Sequence, residues 1–503
     1  MGNTSSDGPP RSRFHTAVLI FLAVLAVAAP ARAFDLESRV KEFTLDNGLK
    51  VLVLERAGSP TFAAHISFKV GSVEESSGHT GAAHMLEHML FKGTTSLGTL
   101  DWRKERPLLD KVNRLGDALD KARLRGENAD ALKKLEAELA AAQAEQKTYI
   151  ESEVYSRLYQ AEGGVGFNAG TSKDTTNYII RLPVEKLRLW AEIESQRLKD
   201  AVFREYYSER DVVREERRSS YENQPSGKLY ERFLAAAFIA HPYGWPIIGW
   251  ESDLATLPLS EMERFYKTWY VPNNTVIAIV GAAPFDEVKN VVTRHFGAIP
   301  AKPLPDRVVT SEPAQGGERR VTVESDANPT FMMGFHKPTW PDRDDQVFEV
   351  IHNLLADGRS SRLKKSLVYE RKVAVSVETW EAPGSRYPNL FVVSGDPRLP
   401  HTVADVERAV WDELEKLKRE PVSERELTKV INNIEADLIR GMASDYGMAR
   451  LLASYQQIAG DWREALRAIE KVKSVTAADI MRVATTYLTR GNMTMATLTQ
   501  VKK

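Results

Sequence analysis

The chain has 503 residues, enough for two or more domains with sizeable cores. Its 43% hydrophobic and 27% charged residues are ordinary for a folded globular protein, and a formal net charge of −1 gives no electrostatic footprint for nucleic acid. There is no cysteine, which excludes disulfides and thiolate ligands, so any bound zinc must be held by histidine and carboxylate.

At the N-terminus Arg11 and Arg13 precede an apolar run over residues 17–29. The run closes on Pro30-Ala31-Arg32-Ala33, a small-residue cleavage pattern. We read residues 1–33 as a signal peptide and expect a periplasmic or secreted mature chain starting near Phe34. The apolar run is too short to span a bilayer, so no stable membrane span is expected after cleavage. Residues 42–54 alternate apolar and polar about Asp46-Asn47-Gly48, a hairpin pattern, and residues 61–70 read as a further strand.

That strand leads into His84-Met85-Leu86-Glu87-His88, an H-x-x-E-H phrase among the apolar Met85, Leu86, Met89 and Leu90 and closed by Gly93. The pattern predicts a short buried helix. On it His84 and His88 lie one turn apart and point the same way, able to hold one metal ion, with Glu87 beside the open coordination position. The order is that of inverted zincins. The bland reading is a helix with two satisfied histidines and a surface glutamate.

Residues 101–160 carry Leu108, Val112, Leu115 and Leu119, then Leu132, Leu135 and Leu139, at helical spacing. A turn is expected at Arg125-Gly126-Glu127-Asn128. Dense, balanced charge predicts a helical hairpin projecting from the domain, either a solvated insertion or an arm for a partner. After a flexible stretch at 163–166, one strand is expected from Asn168 to Leu182. Helices follow at 184–198 and 205–222, a loop at 241–250, a helix at 259–269 and a buried strand at 275–280.

A catalytic zinc site has three protein ligands and a water, so a third ligand must come from elsewhere. Glu209, Val212, Val213 and Glu216 lie at i, i+3, i+4 and i+7, a stripe expected to face inward. A carboxylate there needs a partner or a metal. We take Glu216 as the ligand and Glu209 as the group that orients the site. Glu215 shares its face with Asp211, Arg218 and Ser219 and reads as solvated. The alternative for Glu209 and Glu216 is salt-bridging to nearby arginines.

A proline-rich linker at 301–318 separates an N-terminal catalytic zinc domain, 34–300, from a C-terminal domain, 319–503, whose pattern repeats the first. Strands are expected at 330–336 and 389–395, helices at 346–355, 403–418 and 423–442. Setting Gly358 against Gly93 puts Glu349, His352 and Asn353 where His84, Glu87 and His88 stand, so the duplicate lacks the metal set.

The run from Gly81 through His84, Glu87 and His88 to Thr94 resembles the insulinase/pitrilysin family of zinc metallopeptidases, in its bacterial processing-peptidase-like branch. Further likeness lies at Asn168-Ala169-Gly170-Thr171-Ser172, at residues 209–216, at His241-Pro242-Tyr243-Gly244 and at Pro272-Asn273-Asn274. The resemblance implies an α+β fold of two homologous domains, each a mainly antiparallel sheet packed with helices, forming half of a clamshell around a peptide. It implies Glu216 as the ligand glutamate. The separation from His88 to Glu216, 216 − 88 = 128 residues, exceeds that usual in the family, and the hairpin accounts for the excess. Members that work alone carry an arginine and a tyrosine where Val368 and Val375 stand here. Their absence resembles catalytic subunits whose metal-free companion supplies the pair. We therefore expect a heterodimer with such a companion, a homodimer being the other possibility.

The expected function is zinc-dependent endopeptidase, with one Zn²⁺ per chain and Glu87 as general base on a zinc-activated water. Peptides or unfolded polypeptides would pair with the strand at Asn168, Ala169 and Gly170. The alternatives are a non-catalytic peptide-binding or assembly subunit of the same fold, and an exported structural protein with an incidental metal site.

Overall fold

A computed structural model describes residues 36–58 and 60–501. The signal-peptide reading concerns residues 1–33, outside the described residues. Residues 36–39 form a single helical turn within their own unit, and the chain from Val40 onward forms a second compact unit.

The first sheet is built from β1 (Val40–Thr44), β2 (Lys50–Glu55), β3 (Thr61–Phe68), β4 (Val165–Thr171), β5 (Thr176–Pro183) and β6 (Thr275–Gly281). Its order is β1-β2-β6-β3-β5-β4. The β1–β2 hairpin turns at Asn47-Gly48, where Gly48 takes a φ of 84° that a side chain would resist. Strand β6, Thr-Val-Ile-Ala-Ile-Val-Gly, is buried at every position and runs parallel to β2 and antiparallel to β3. Such a continuous apolar run suits the middle of a sheet covered on both faces.

The single strand expected over 168–182 is instead a hairpin. Ser172 Oγ accepts the amides of Asp174 at 3.2 Å and Thr175 at 3.0 Å, a local turn that competes with an extended backbone. The consequence matters for the site: β4 becomes the edge of the sheet.

The second sheet contains β7 (Arg319–Ser325), β8 (Thr330–Lys337), β9 (Ala374–Ala382), β10 (Asn389–Pro397) and β11 (Met493–Gln500), in the order β7-β11-β8-β10-β9. Strip β1 from the first sheet and the two orders coincide. In both, the first strand pairs in parallel with the last, and the remaining pairs are antiparallel. The fold is thus α+β, with one mainly antiparallel arrangement used twice. Residues 301–318 hold neither helix nor strand. The helix Pro225–Ala237 packs Leu229, Phe233 and Leu234 against Val392, Ala496 and Leu498 of the second sheet.

The helices that concern the site are α1 (Ala82–Met89), α2 (Trp102–Leu124), α3 (Ala129–Lys147), α4 (Val154–Ala161), α5 (Leu187–Asp200) and α6 (Tyr206–Arg217). Asp101 caps α2 by accepting the amides of Arg103 and Lys104, and Asn128 caps α3 through Ala131. The α2–α3 pair does not project freely, as its charge pattern led us to expect. It lies along α6. Asp120 accepts two hydrogen bonds from Arg210 at 2.7 and 2.8 Å, and Glu105 pairs with Arg204 at 2.7 Å where both side chains are buried. Tyr207 approaches so closely that a Cβ on Gly116 would stand 2.1 Å from its ring. Balanced charge reads as solvated surface from sequence; here it is matched by partners on the helices beneath.

Candidate metal centre

Helix α1 buries Ala82, Ala83, Met85, Leu86 and Met89 in the core and turns His84, Glu87 and His88 towards α6 and β4. Its start is set by two features. Gly81 has a φ of 90°, and a Cβ there would lie 2.5 Å from the carbonyl oxygen of Ile248. The Glu75 carboxylate accepts the amides of Gly81 at 3.0 Å and Ala83 at 2.8 Å, satisfying donors a helix start leaves open.

Helix α6 runs beside α1 and brings Glu216 to the histidines. Ligand atoms of His84, His88 and Glu216 all lie within 4.8 Å of one another. His84 Nε2 is 3.8 Å from Glu216 Oε1, and His88 Nε2 is 3.5 Å from Oε2. Both gaps exceed a hydrogen bond. They approach the ~3.4 Å between ligand atoms that tetrahedral coordination at roughly 2.0–2.1 Å would set. Two imidazoles and a carboxylate are a donor set suited to zinc, and the residues present fit it.

Electrostatics support that reading. Burial, helped by the neighbouring His88, depresses the His84 pKa to about 4, so its lone pair stays available. Its buried Nδ1 has no hydrogen-bond partner among the described residues. Burial also opposes charge on His88, but the hydrogen bond and charge of Glu209, with the charges of Glu216 and Glu87, together raise its pKa above the ordinary value. Glu209 itself would be pushed up by burial, yet hydrogen bonds from His88 and Lys92 hold it at about 2. An ionised carboxylate can only accept, so His88 Nδ1 donates across 2.9 Å, and in the neutral ring Nε2 is the nitrogen that keeps a lone pair for a metal. Lys92 spans Glu209 at 2.6 Å and Glu205 at 3.2 Å.

Glu87 stands next to this group. Burial raises its pKa, and the Thr171 hydroxyl, donating to Oε2 at 2.7 Å, works against that rise. Lys92 and Thr171 escaped the sequence reading. Thr171 could have been found: on β4 it shares a face with Phe167 and Ala169 by the two-residue period of a strand.

The inward stripe expected on α6 needs correction. Val212 is 52% exposed. The buried face is Tyr206, Tyr207, Arg210, Val213 and Arg217, with Glu209 and Glu216 on its border. Glu215 faces solvent and pairs with Arg218. Asn168, Ala169 and Gly170 lie on β4, whose outer edge has no partner strand among the described residues. Asn168 and Ala169 join Glu87 and His88 in lining a cleft of about 520 Å³, and a Cβ on Gly170 would meet open space.

A sequence pattern described as "Insulinase (Peptidase family M16)" matches residues 50–102, which hold His84, Glu87 and His88. A second, described as "Peptidase M16 inactive domain", matches residues 256–434. Over these two stretches the chain is similar to the insulinase family. Among insulinase-family relatives, "Zinc protease PqqE" of Helicobacter pylori is 28% identical over 88% of this chain and 89% of its own. The probable mitochondrial-processing peptidase subunit beta of Arabidopsis thaliana is 23% identical over 90% and 76%. The crystal structure of a protease from Helicobacter pylori superposes with a TM-score of 0.77 at 25% identity, over 92% of this chain and 99% of that one. The periplasmic protease PqqL from Escherichia coli matches with a TM-score of 0.68 at 17% identity, this chain covering 47% of it. The fold is that of one clamshell half.

Proposed function

We propose that this chain is a zinc endopeptidase acting on peptides or unfolded polypeptides, with one Zn²⁺ held by His84, His88 and Glu216. The observation that carries the reading is the convergence of those three ligand atoms with a half-buried, hydrogen-bonded Glu87 beside them. Zinc in such a site polarises a carbonyl and acidifies water. The chain's own residues do the rest. Glu87 takes a proton from the attacking water and hands one to the departing amine, a task suited to a carboxylate whose pKa burial raises. Glu209 fixes the tautomer of His88, and Lys92 keeps Glu209 charged. The free edge of β4 at Asn168, Ala169 and Gly170 offers main-chain groups to an extended substrate, which favours chains without structure of their own.

The proposed organisation is a signal peptide at 1–33, a catalytic domain at 34–300, a linker at 301–318 and a second domain at 319–503, in an exported, periplasmic or secreted protein. Val375, exposed on the edge strand β9, stands where the tyrosine of such a pair is sought, and Val368, partly buried against the second core, stands where the arginine is. This favours a companion subunit that contributes them.

The test is cleavage of an unstructured peptide by the zinc-loaded chain, alone and mixed with a metal-free family member. Cleavage should stop on chelation, and Glu87→Gln should lower kcat by about 10²–10⁴ while zinc stays bound. Cleavage that ignores the chelator, or a Glu87→Gln variant at the parent rate, would overturn this mechanism; no cleavage by the chain alone or in the mixture would leave the non-catalytic reading.

A further inference from the structure

Glu216 reaches the two histidines because α1 and α6 are held at one separation, and a single segment bonds to both helices. It is residues 248–253, the end of the loop at 241–250 and the first turn of the helix Glu251–Thr256. On the α1 side its contact is Thr80, 1% exposed, the residue before Gly81 where the chain turns into the helix. The Thr80 hydroxyl accepts the Trp250 amide at 2.9 Å and donates to Asp253 Oδ2 at 2.7 Å. The Thr80 amide donates to the same carboxylate oxygen at 3.1 Å. Gly249 presses backbone to backbone on this point. A Cβ on it would lie 2.4 Å from the Thr80 carbonyl oxygen and 2.6 Å from the Gly81 Cα.

On the α6 side the contact is Arg217, 5% exposed and next in the chain to Glu216. It donates to the Gly249 carbonyl at 2.8 Å, and buried Glu231 accepts its other Nη at 2.6 Å and balances the charge. One turn back, Arg214 donates to Glu251 at 2.9 Å. Across the site itself, α1 and α6 are joined by the side chains of His88, Lys92 and Glu209, all partly exposed. The 248–253 contacts are more deeply buried and largely made to backbone, so they fix the helices more stiffly. Metal sites hold their ligand distances to about ±0.2 Å, so a shift of a few tenths of an ångström between the helices is enough to matter.

Resting on the zinc reading of the site, we propose that residues 248–253 are a clasp that sets the reach of Glu216 to His84 and His88, and that Thr80 is the positioning residue through which the clasp holds α1. Without the Thr80 hydroxyl, the Trp250 amide and the Asp253 carboxylate each lose a partner and the start of α1 is released. The histidines then move relative to Glu216, and the metal is held less well.

Zn²⁺ affinity of the full chain is measured by competition with a chromophoric chelator for the parent, Thr80→Val and Thr80→Ser, with peptide cleavage and urea midpoints followed beside it. Valine keeps the shape and removes the hydroxyl. Thr80→Val should bind Zn²⁺ about tenfold more weakly, the scale seen when groups that orient metal ligands are removed, while Thr80→Ser stays within about twofold of the parent. Co²⁺ put in place of Zn²⁺ should give a changed visible spectrum in Thr80→Val, a signature of ligand geometry that lost stability alone does not move. Asp253→Ala tests the clasp from its other side and should weaken Zn²⁺ binding in the same direction. Phe348→Leu, in the second core, should lower the urea midpoint and leave Zn²⁺ affinity unchanged. Parent affinity and spectrum in Thr80→Val, or an equal loss of affinity in Phe348→Leu, overturn the clasp and leave the peptidase reading to stand on cleavage by the parent. Weakened Zn²⁺ binding in Thr80→Val, restored in Thr80→Ser, from a chain that cleaves no peptide upholds the clasp and sinks the peptidase reading. A parent chain that takes up no Zn²⁺ overturns both.

Discussion

At the scale of single residues, the site depends on which proton sits where. Glu87 is pulled two ways: burial favours its neutral form, and the Thr171 hydroxyl favours its charge. Replacing Thr171 with Val keeps the shape and removes that donor. The carboxylate should then hold its proton to higher pH, so the acid limb of the kcat/KM profile moves up in pH while the rate at pH 8 changes little. A pH–rate series on the two proteins checks this. His84, Glu87 and His88 were legible because their relation is local, one turn of one helix. Glu209 and Glu216 could be found by helical spacing, but the face carrying them was drawn wrongly. Arg210 and Arg217 look like solvent residues until Asp120, 90 positions away, and Glu231 are seen to pair with them in the interior. Exposed Val212 is the other side of the same error.

At the scale of elements, α6 is held from both sides. One flank meets α1; the other meets the insertion through the pair Asp120–Arg210, both partners buried. Breaking one member of such a pair leaves an uncompensated charge inside the protein. Asp120→Leu should cost about 3–5 kcal/mol, and the double change Asp120→Leu with Arg210→Met should recover part of the loss. Urea midpoints for the parent and both variants read this directly. The turn at Ser172–Thr175 is the other decisive element-level feature. A serine hydroxyl capturing two amides splits one expected strand into β4 and β5, and so creates the edge on which a peptide can lie.

At the scale of the whole molecule, the two sheets repeat one strand order, and the repeat extends to a hydrogen bond. Glu87 bonds Thr171 of β4, and His352 bonds Thr379 of β9, the equivalent edge strand. The second half keeps the scaffold and has Glu349 and Asn353, joined to each other at 3.1 Å, where the first has its histidines. Stability should depend on pH through histidines held neutral inside. Burial takes His65, in the middle of the first sheet, down to about 4. Between its unfolded value near 6.5 and that value, the unfolded chain binds the proton and the folded chain does not. Stability is therefore full above the upper limit and falls as pH drops through the window, by about 3 kcal/mol for this group. Unfolding midpoints measured from pH 7 to pH 4 should decline, and less steeply in His65→Gln.

The amino-acid order determined by itself whatever depends on neighbours along the chain. That covers the paired imidazoles and their glutamate on one turn, the helical pair and its turn, the Asn-Gly hairpin, and the limit of any metal ligands to nitrogen and oxygen donors. Only the tertiary structure decided what depends on distant segments meeting: Glu216 crossing 128 positions to the histidines, Thr171 reaching Glu87, Lys92 bridging two acids, and the insertion closing one wall of the cleft. The reason is physical. Periodicity reports which face of an element is apolar, whereas a buried charge is placed by its partner, and no local pattern names a partner a hundred residues away.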